Sequence, residues 1–538
     1  MIDKPNNARM MGQMVDAVSY MAISMRLTPS LHKAVLFAAR NVSEPLAGRL
    51  RRVVLDVELR RFESVEEAFL DLARTYDPGN DEFQQALRSL RTAELQITHD
   101  GVERSLERAT STVFEGTRRR VQEFTDGLQR PVFVLFSLGV VLPLMVGSML
   151  PLMSVGGIAG SIWPTIILMD ILFPIMFILA ARRILDRRPL VRPPSRVEAE
   201  KLGWGTRTVL AIAVGTILVG LGLFCGYVAT DVSQAQVQLD TALADGSLVE
   251  MDPGRRADVE ARAAASANDP LVGLAVMVGP LPVLWGLAAT VAILYIPALN
   301  EPRKRREEVI SVEEALPDAL FQIGSRMADG MPLEPAIRRT AATLGDEPLA
   351  DLLRRALTYM TLKRTSTTEA LFGREGALTG FPSENVSASL KTIVEMVRKD
   401  VGGAGRTIVA VSDHLRDLRK VDREVTSRLR PVTDMMRSTA LLFAPVILGI
   451  TSALYLVVAQ LAPSLPFSSA AAAPMPASIF AMVLGIFVMA IAAATMQFTS
   501  RLSHGDDPLE GRYQMARALP VAIGVYTISS IVGHAVIA

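Results

Sequence analysis

Five histidines, one cysteine, one deeply apolar aspartate and one glycine-rich hexapeptide are the residues of this 538-residue chain whose types invite chemistry. His32, His99, His414, His504 and His534 lie far apart, and no two have the H-E-x-x-H spacing that would put two imidazoles on one helix face to hold a zinc ion. No G-x-S-x-G elbow, kinase signature or Rossmann fingerprint occurs. Gly402-Gly403-Ala404-Gly405-Arg406-Thr407 lacks the G-K-[ST] ending of a phosphate loop and follows a helical pattern where a strand is required, so it reads as a helix–helix turn. Cys225 has no second thiol to pair with and reads as a small apolar filler. These absences predict a non-enzyme that needs no metal and no cofactor. Asp170 differs, because it falls deep inside a predicted membrane span, where an ionised carboxylate is costly. It admits two readings: ion or proton coupling in a membrane transporter, or an internal hydrogen bond near Pro174 among packed helices.

Surface charge is more patterned. Arg51-Arg52, Arg60-Arg61, Arg118-Arg119-Arg120, Lys304-Arg305-Arg306, Arg354-Arg355, Lys363-Arg364 and Arg419-Lys420 form basic clusters. A solvated face and topology signals account for many of them, and an acidic partner surface would account for the rest. The total of 56 Lys and Arg against 55 Asp and Glu leaves a net charge of +1, which argues against a nucleic-acid binder.

The elements that must position these residues follow from segregation. The chain is 50% hydrophobic and 21% charged, with a mean hydropathy of +0.31; both hold only if apolar and charged stretches alternate along it. Runs long enough to cross about 30 Å of hydrocarbon predict seven spans, near 132–153, 162–181, 208–230, 271–297, 439–461, 477–499 and 518–537. Prolines and glycines at Pro151, Gly156, Gly157 and Pro164, and at Pro463, Pro466, Pro474 and Pro476, split the two longest runs into hairpins. The segment 183–207 carries seven basic residues against three acidic, whereas 231–270 carries eight acidic against three basic. Retention of positive charge then puts the N-terminus in the cytoplasm and the C-terminus outside. Met1-Ile2-Asp3-Lys4-Pro5 shows no apolar signal segment.

The charged stretches repeat. EPLAGRLRR at 44–52 matches EPLADLLRR at 347–355 in seven of nine positions, against roughly one in fifteen per position by chance. At nearly constant offset, Asp16, Met25, Leu31, Ala34 and Val35 face Asp318, Met327, Leu333, Ala336 and Ile337, and both copies reach the apolar region through Arg-Pro-Val, at 130–132 and 430–432. Met14, Val18, Met21 and Met25 recur at helical spacing; Thr28-Pro29 reads as an N-cap and first-turn proline, and Ser43 precedes a third helix bearing Leu46, Leu50, Val53 and Val57. Ser64 with Glu67, and Ser366 with Glu369, form S-x-x-E capping boxes. The resulting expectation is an all-α polytopic membrane protein with seven transmembrane helices and two homologous cytoplasmic helical-bundle domains. Its divisions are a first bundle over 1–130, three spans in 131–230 with a basic cytoplasmic loop at 182–207, and an acidic extracytoplasmic loop at 231–270. A connector span at 271–297, a second bundle over 298–436 and three spans in 437–538 follow. The connector restores the chain's side, so the halves are parallel repeats.

Two helical repeats with EPLA-x-x-LRR motifs, each leading through a basic juncture into a proline-broken hairpin, resemble the F-protein family of type II secretion systems, which includes the platform proteins of type IV pili and of the archaellum. Seven spans look like the archaeal branch of that family. The resemblance implies a plasma-membrane platform without enzymatic activity, a homodimer, on which a secretion-type hexameric ATPase docks and around which pilin-like subunits are extracted from the lipid. It carries over no residue-level contact with the ATPase; Arg51, Arg52, Arg354 and Arg355 are the candidate docking residues because they match between the copies.

Overall fold

A computed structural model describes residues 4–42, 44, 46–76, 81–155, 162–185, 206–244, 252–269, 272, 279, 281–397, 401–461, 476–505 and 507–537. Regular structure among them is entirely helical. Seven helices are long and apolar enough to cross a membrane, over Asp126–Leu150, Trp163–Leu185, Thr208–Gln236, Leu281–Ala328, Thr426–Tyr455, Ala477–Ser503 and Pro508–Val536. The chain is a multi-pass membrane protein. It divides into two compact units: Met1–Gly127 with Pro302–Arg428 form the core of one, and Leu128–Asp186, Ala199–Glu301 and Leu429–Ala538 that of the other.

In the first unit, helix Lys4–Leu27 supplies the expected stripe: Met14, Val18, Met21 and Met25 are all buried. Helix Leu31–Asn41 buries Leu31, Ala34 and Val35, and helix Leu46–Glu58 buries Leu46, Leu50 and Val53. Their second-copy counterparts Met327, Leu333, Ala336 and Ile337 are buried as well, and residues of both copies belong to one continuous apolar core. The segments read as separate bundles therefore lie in one compact unit.

The helix starts depend on tertiary partners more than on local ones. Thr28-Pro29 does not open the second helix, which begins at Leu31 after an extended Ser30 whose side chain makes no cap. Instead Glu94 Oε1, from the end of helix Asp81–Glu94, accepts the Leu31 N–H at 3.1 Å. Ser43 lies outside the described residues. The third helix is held by Gln13, which accepts the Leu46 N–H at 3.2 Å and donates to the Glu44 carbonyl at 3.0 Å. The two capping boxes are local, as expected: Ser64 Oγ accepts the Glu67 N–H at 3.2 Å and Ser366 Oγ the Glu369 N–H at 3.3 Å. In the first, the Glu67 carboxylate reaches the N–H of Glu63, one residue before the serine.

The order of elements recurs. A 38-residue helix, His99–Phe136, contains Pro131 and runs into a five-residue π-helical segment, Ser137–Val141; the 38-residue helix Val401–Ser438 contains Pro431 and runs into another, Thr439–Phe443. Neither proline ends its helix. At the offset of 300 set by the Arg-Pro-Val motifs, Phe114 corresponds to His414, and these two rings touch with centroids 5.3 Å apart. Positions that correspond in the sequence repeat therefore lie against each other. The glycine-rich hexapeptide is not a turn: Val401 already begins the helix. A Cβ on Gly405 would lie 2.3 Å from the Ala328 nitrogen, and one on Gly324 would lie 2.9 Å from the Gly405 carbonyl oxygen. The glycines let the two backbones cross in contact.

The second unit is packed by small residues, as membrane helices are. Helix Thr206–Ala244 meets the start of helix Leu281–Ala328 at Gly215 against Thr290 and at Gly222 against Val283, so the two run antiparallel. Helices Ala444–Leu461 and Pro508–Ile537 are parallel neighbours, with Gly449 against Tyr526 and Ser529 and the Ser452 and Ser530 hydroxyls 3.0 Å apart. Tyr455 stacks on Phe480 at 4.1 Å, pinning the antiparallel helix Ala477–His504. Gly147 packs against Leu448, again near-equivalent positions of the repeat. Large apolar side chains such as Met145, Ile167, Ile217, Phe224 and Ile528 are more than half exposed, a surface suited to lipid.

Two of the expected segments change. The acidic stretch 231–270 is not a loop: helix Thr206–Ala244 continues through its first part, and helix Pro253–Asn268 folds back with Arg262 on Asp231 at 3.4 Å. Repulsion among its acids is relieved by Arg262, which also meets Asp258 at 2.9 Å, and by Arg256 on Glu260 at 2.9 Å. The fourth span is helix Leu281–Ala328, two residues after Gly279 with its left-handed φ of +52°, and the expected start at 271 lies outside the described residues. That helix then runs unbroken to Ala328, past the expected end at 297. Most of the basic loop 182–207 lies outside the described residues.

Candidate functional site

Helix Leu46–Glu58 buries Leu46, Leu50, Val53 and Val54, and that register turns Arg51 and Arg52 outward. Helix Pro348–Lys363 does the same for Arg354 and Arg355 by burying Leu349, Leu352, Leu353 and Ala356. All four guanidinium groups are on the surface, but they are held differently. Arg51 pairs with Glu44, two turns earlier, and its Nε donates to the Ala47 carbonyl. Arg354 pairs with Asp351 at 2.9 Å, and the Nε of Arg355 is 3.4 Å from the Asp351 carbonyl oxygen. Asp351 stands where the first copy has Gly48, so one substitution between the copies changes the partner of the arginine three residues on. Arg51, without Arg52, lines a shallow cleft with Arg40, Glu44 and Lys391, and Arg354 and Arg355 both line another with Tyr359 and Glu375. The four side chains do not converge on one pocket.

Asp170 lies in a π-helical segment, Ile167–Leu172, within the second span. Widening to i→i+5 hydrogen bonds is rare and is frequent at functional sites. Its Oδ1 is buried without a hydrogen-bond partner. The internal hydrogen bond expected near Pro174 is not made by that oxygen. The π segment itself was not legible in the sequence, since no residue type marks it. Cys225 is buried and free. Among the described residues no group of His, Cys, Asp and Glu could hold a metal ion.

A third place emerges only in three dimensions. Helices Lys4–Leu27, His99–Phe136 and Val401–Ser438 enclose a cleft of about 840 Å³ on the line of the Phe114–His414 contact. Its mouth is tied across the copies by Arg118 Nε, 2.9 Å from Glu424 Oε2, and by Gln122, which donates to Glu424 Oε1 at 2.8 Å. The hydrogen bond from Gln122 holds the Glu424 carboxyl below its ordinary range, against partial desolvation and with help from Arg118 and Arg428. Inside, the His414 side chain is 9% exposed, with Nε2 facing Asp16 Oδ1 at 3.6 Å. Asp318, the counterpart of Asp16, pairs with Arg416 of its own copy at 2.8 Å. Sequence reasoning passed over His414 as one of five scattered histidines; the signal was its alignment with Phe114, a polar ring where the duplicate has an apolar one.

Compared with known protein families, with curated proteins and with solved structures, the chain finds no match.

Proposed function

We propose that this chain is a membrane platform for a filament or secretion machine of the type IV pilus kind: archaellum, adhesive pilus or type II secretion. In this reading its two helical segments face the cytoplasm of an archaeal cell, dock a hexameric assembly ATPase and transmit its cycle to pilin-like subunits beside the spans. The observation that supports it is the doubling: two helical segments in the same order, each continued by a proline-containing helix and a π-helical segment into apolar helices, with Phe114 against His414 at their centre. Such a scaffold offers an ATPase ring two related surfaces on one side of the bilayer and holds the spans in fixed register. The exposed pairs Arg51-Arg52 and Arg354-Arg355 are the proposed docking points, and a homodimer would present each surface twice.

The test is affinity purification from native membranes. A secretion-type ATPase and pilin-like proteins should co-purify, and reversing the four arginines to glutamate should cut ATPase recovery at unchanged platform yield; recovery that does not change refutes this docking surface. A second reading, an ion- or proton-coupled transporter, is favoured by the partnerless Asp170 oxygen in its π-helical segment. It requires pH-dependent solute flux in proteoliposomes that Asp170→Asn abolishes, and flux that survives the substitution rejects it.

A further inference from the structure

The cleft between helices Lys4–Leu27, His99–Phe136 and Val401–Ser438 holds three buried polar atoms with no partner: Ser19 Oγ, Arg26 Nε and His414 Nδ1. Ser19 is 2% exposed and the His414 side chain 9%. Leaving a buried donor or acceptor unpaired is costly, and three in one cleft is a built arrangement. From this we infer that the cleft is a docking site for a basic peptide segment, one carrying an arginine or lysine, of a partner protein.

The chemistry of the occupant follows from what the cleft leaves over. Arg26 spends one nitrogen on Glu103 at 2.7 Å, Arg118 is paired with Glu424, and Lys420 with Asp417 at 3.0 Å. Asp413 is met by Arg416 at 3.4 Å. The acids left are Glu107 and Glu115 on helix His99–Phe136, against the single base Arg406, so the residual charge is negative. Nε2 of His414 lies on the side of Asp16, and Nδ1 is the ring nitrogen left without a partner; in the Nε2–H tautomer it is an acceptor for a cationic N–H. Arg26 Nε is a donor and needs a carbonyl. An ammonium or guanidinium group alone supplies no acceptor, whereas a peptide supplies both a basic side chain and a carbonyl. The volume of about 840 Å³ accommodates a few residues. The site rests on these residues alone and does not depend on the platform reading.

The test is calorimetric titration of the full-length chain in lipid nanodiscs with three probes: the end-blocked tripeptide Gly-Arg-Gly, its Gly-Glu-Gly counterpart and spermidine. The arginine peptide should bind once per chain and more tightly than the other two. His414→Phe places in the second copy the ring that the first has at Phe114, so it keeps the aromatic contact while deleting the acceptor. It should weaken the arginine peptide about tenfold, the lower end for a hydrogen bond to a charged group. Glu107→Gln with Glu115→Gln, both on the exposed rim, should weaken it similarly at unchanged helix content. Absence of binding, affinity unmoved by both variants, or spermidine or the glutamate peptide binding as tightly as the arginine peptide would overturn the proposal.

Discussion

The crossing of helices Leu281–Ala328 and Val401–Ser438 can be tested with one methyl group. On Gly405 a Cβ would stand 2.3 Å from the Ala328 nitrogen and 2.8 Å from its Cα, both backbone atoms with no freedom to swing aside. Relief requires the helices to part by about 1 Å, enough to forfeit a quarter to a half of the dispersion well for atoms lining the gap. Overpacking of this kind costs about 1–3 kcal/mol or more, and alanine's helix preference over glycine returns about 1 kcal/mol. Gly405→Ala should therefore destabilise by up to about 2 kcal/mol, lowering the melting midpoint of the first unit by up to about 4–8 °C in nanodiscs. Gly127→Ala is the control, since a Cβ there meets nothing within 4 Å inside a helix. It should raise stability by about 0.5–1 kcal/mol. If Gly405→Ala stabilises as Gly127→Ala does, the two helices do not cross at Gly324 and Gly405 and the packing described for them is wrong.

Other consequences are as direct. Partial desolvation works against it, yet Glu82 is held below the ordinary glutamate value of 4.5 by its own backbone N–H and by Arg120 and Arg119, and Glu424 by Gln122, Arg118 and Arg428. Depressed carboxylates stabilise at neutral pH, and that contribution is lost as pH falls through their folded values. Melting of the first unit should thus drop steeply below about pH 4.5, less so in Glu424→Gln, and an acid limb of equal slope in that variant would refute the assignment. Ser366→Ala should cost about 1 kcal/mol and speed amide exchange over Thr367–Phe372 while leaving the rest of the chain protected; unchanged exchange there would show the cap to be idle. In the second unit Tyr526 donates to the Ala481 carbonyl at 2.7 Å while fully buried. Tyr526→Phe should destabilise the bundle by about 1 kcal/mol, read as a lower unfolding temperature in nanodiscs, and a neutral result would mean that the carbonyl finds another donor.

The residue pattern alone determined what depends on composition and period. Seven apolar runs marked the seven helices that, among the described residues, are long and apolar enough to cross a membrane, because hydrocarbon excludes charge over a fixed length. The stripe Met14, Val18, Met21, Met25 and the serine caps at Ser64 and Ser366 were legible because helix registry and capping are local. Tertiary structure decided the rest. Thr28 lost its capping role to Glu94, sixty-six residues away by number, because a carboxylate carried there by another helix competes with a neighbouring hydroxyl. The acidic stretch became a helical hairpin once Arg262 could reach Asp231. Gly402–Gly405 looked like a turn because glycine favours turns in isolation, yet the close approach of Ala328 makes glycine necessary inside a helix. Asp170 was visible as an acid in an apolar run, but not its π-helical setting, which no side chain encodes. His414 became notable only when the fold set it against Phe114 and Asp16. Local rules act over one turn of chain, whereas a cleft is made where distant turns meet.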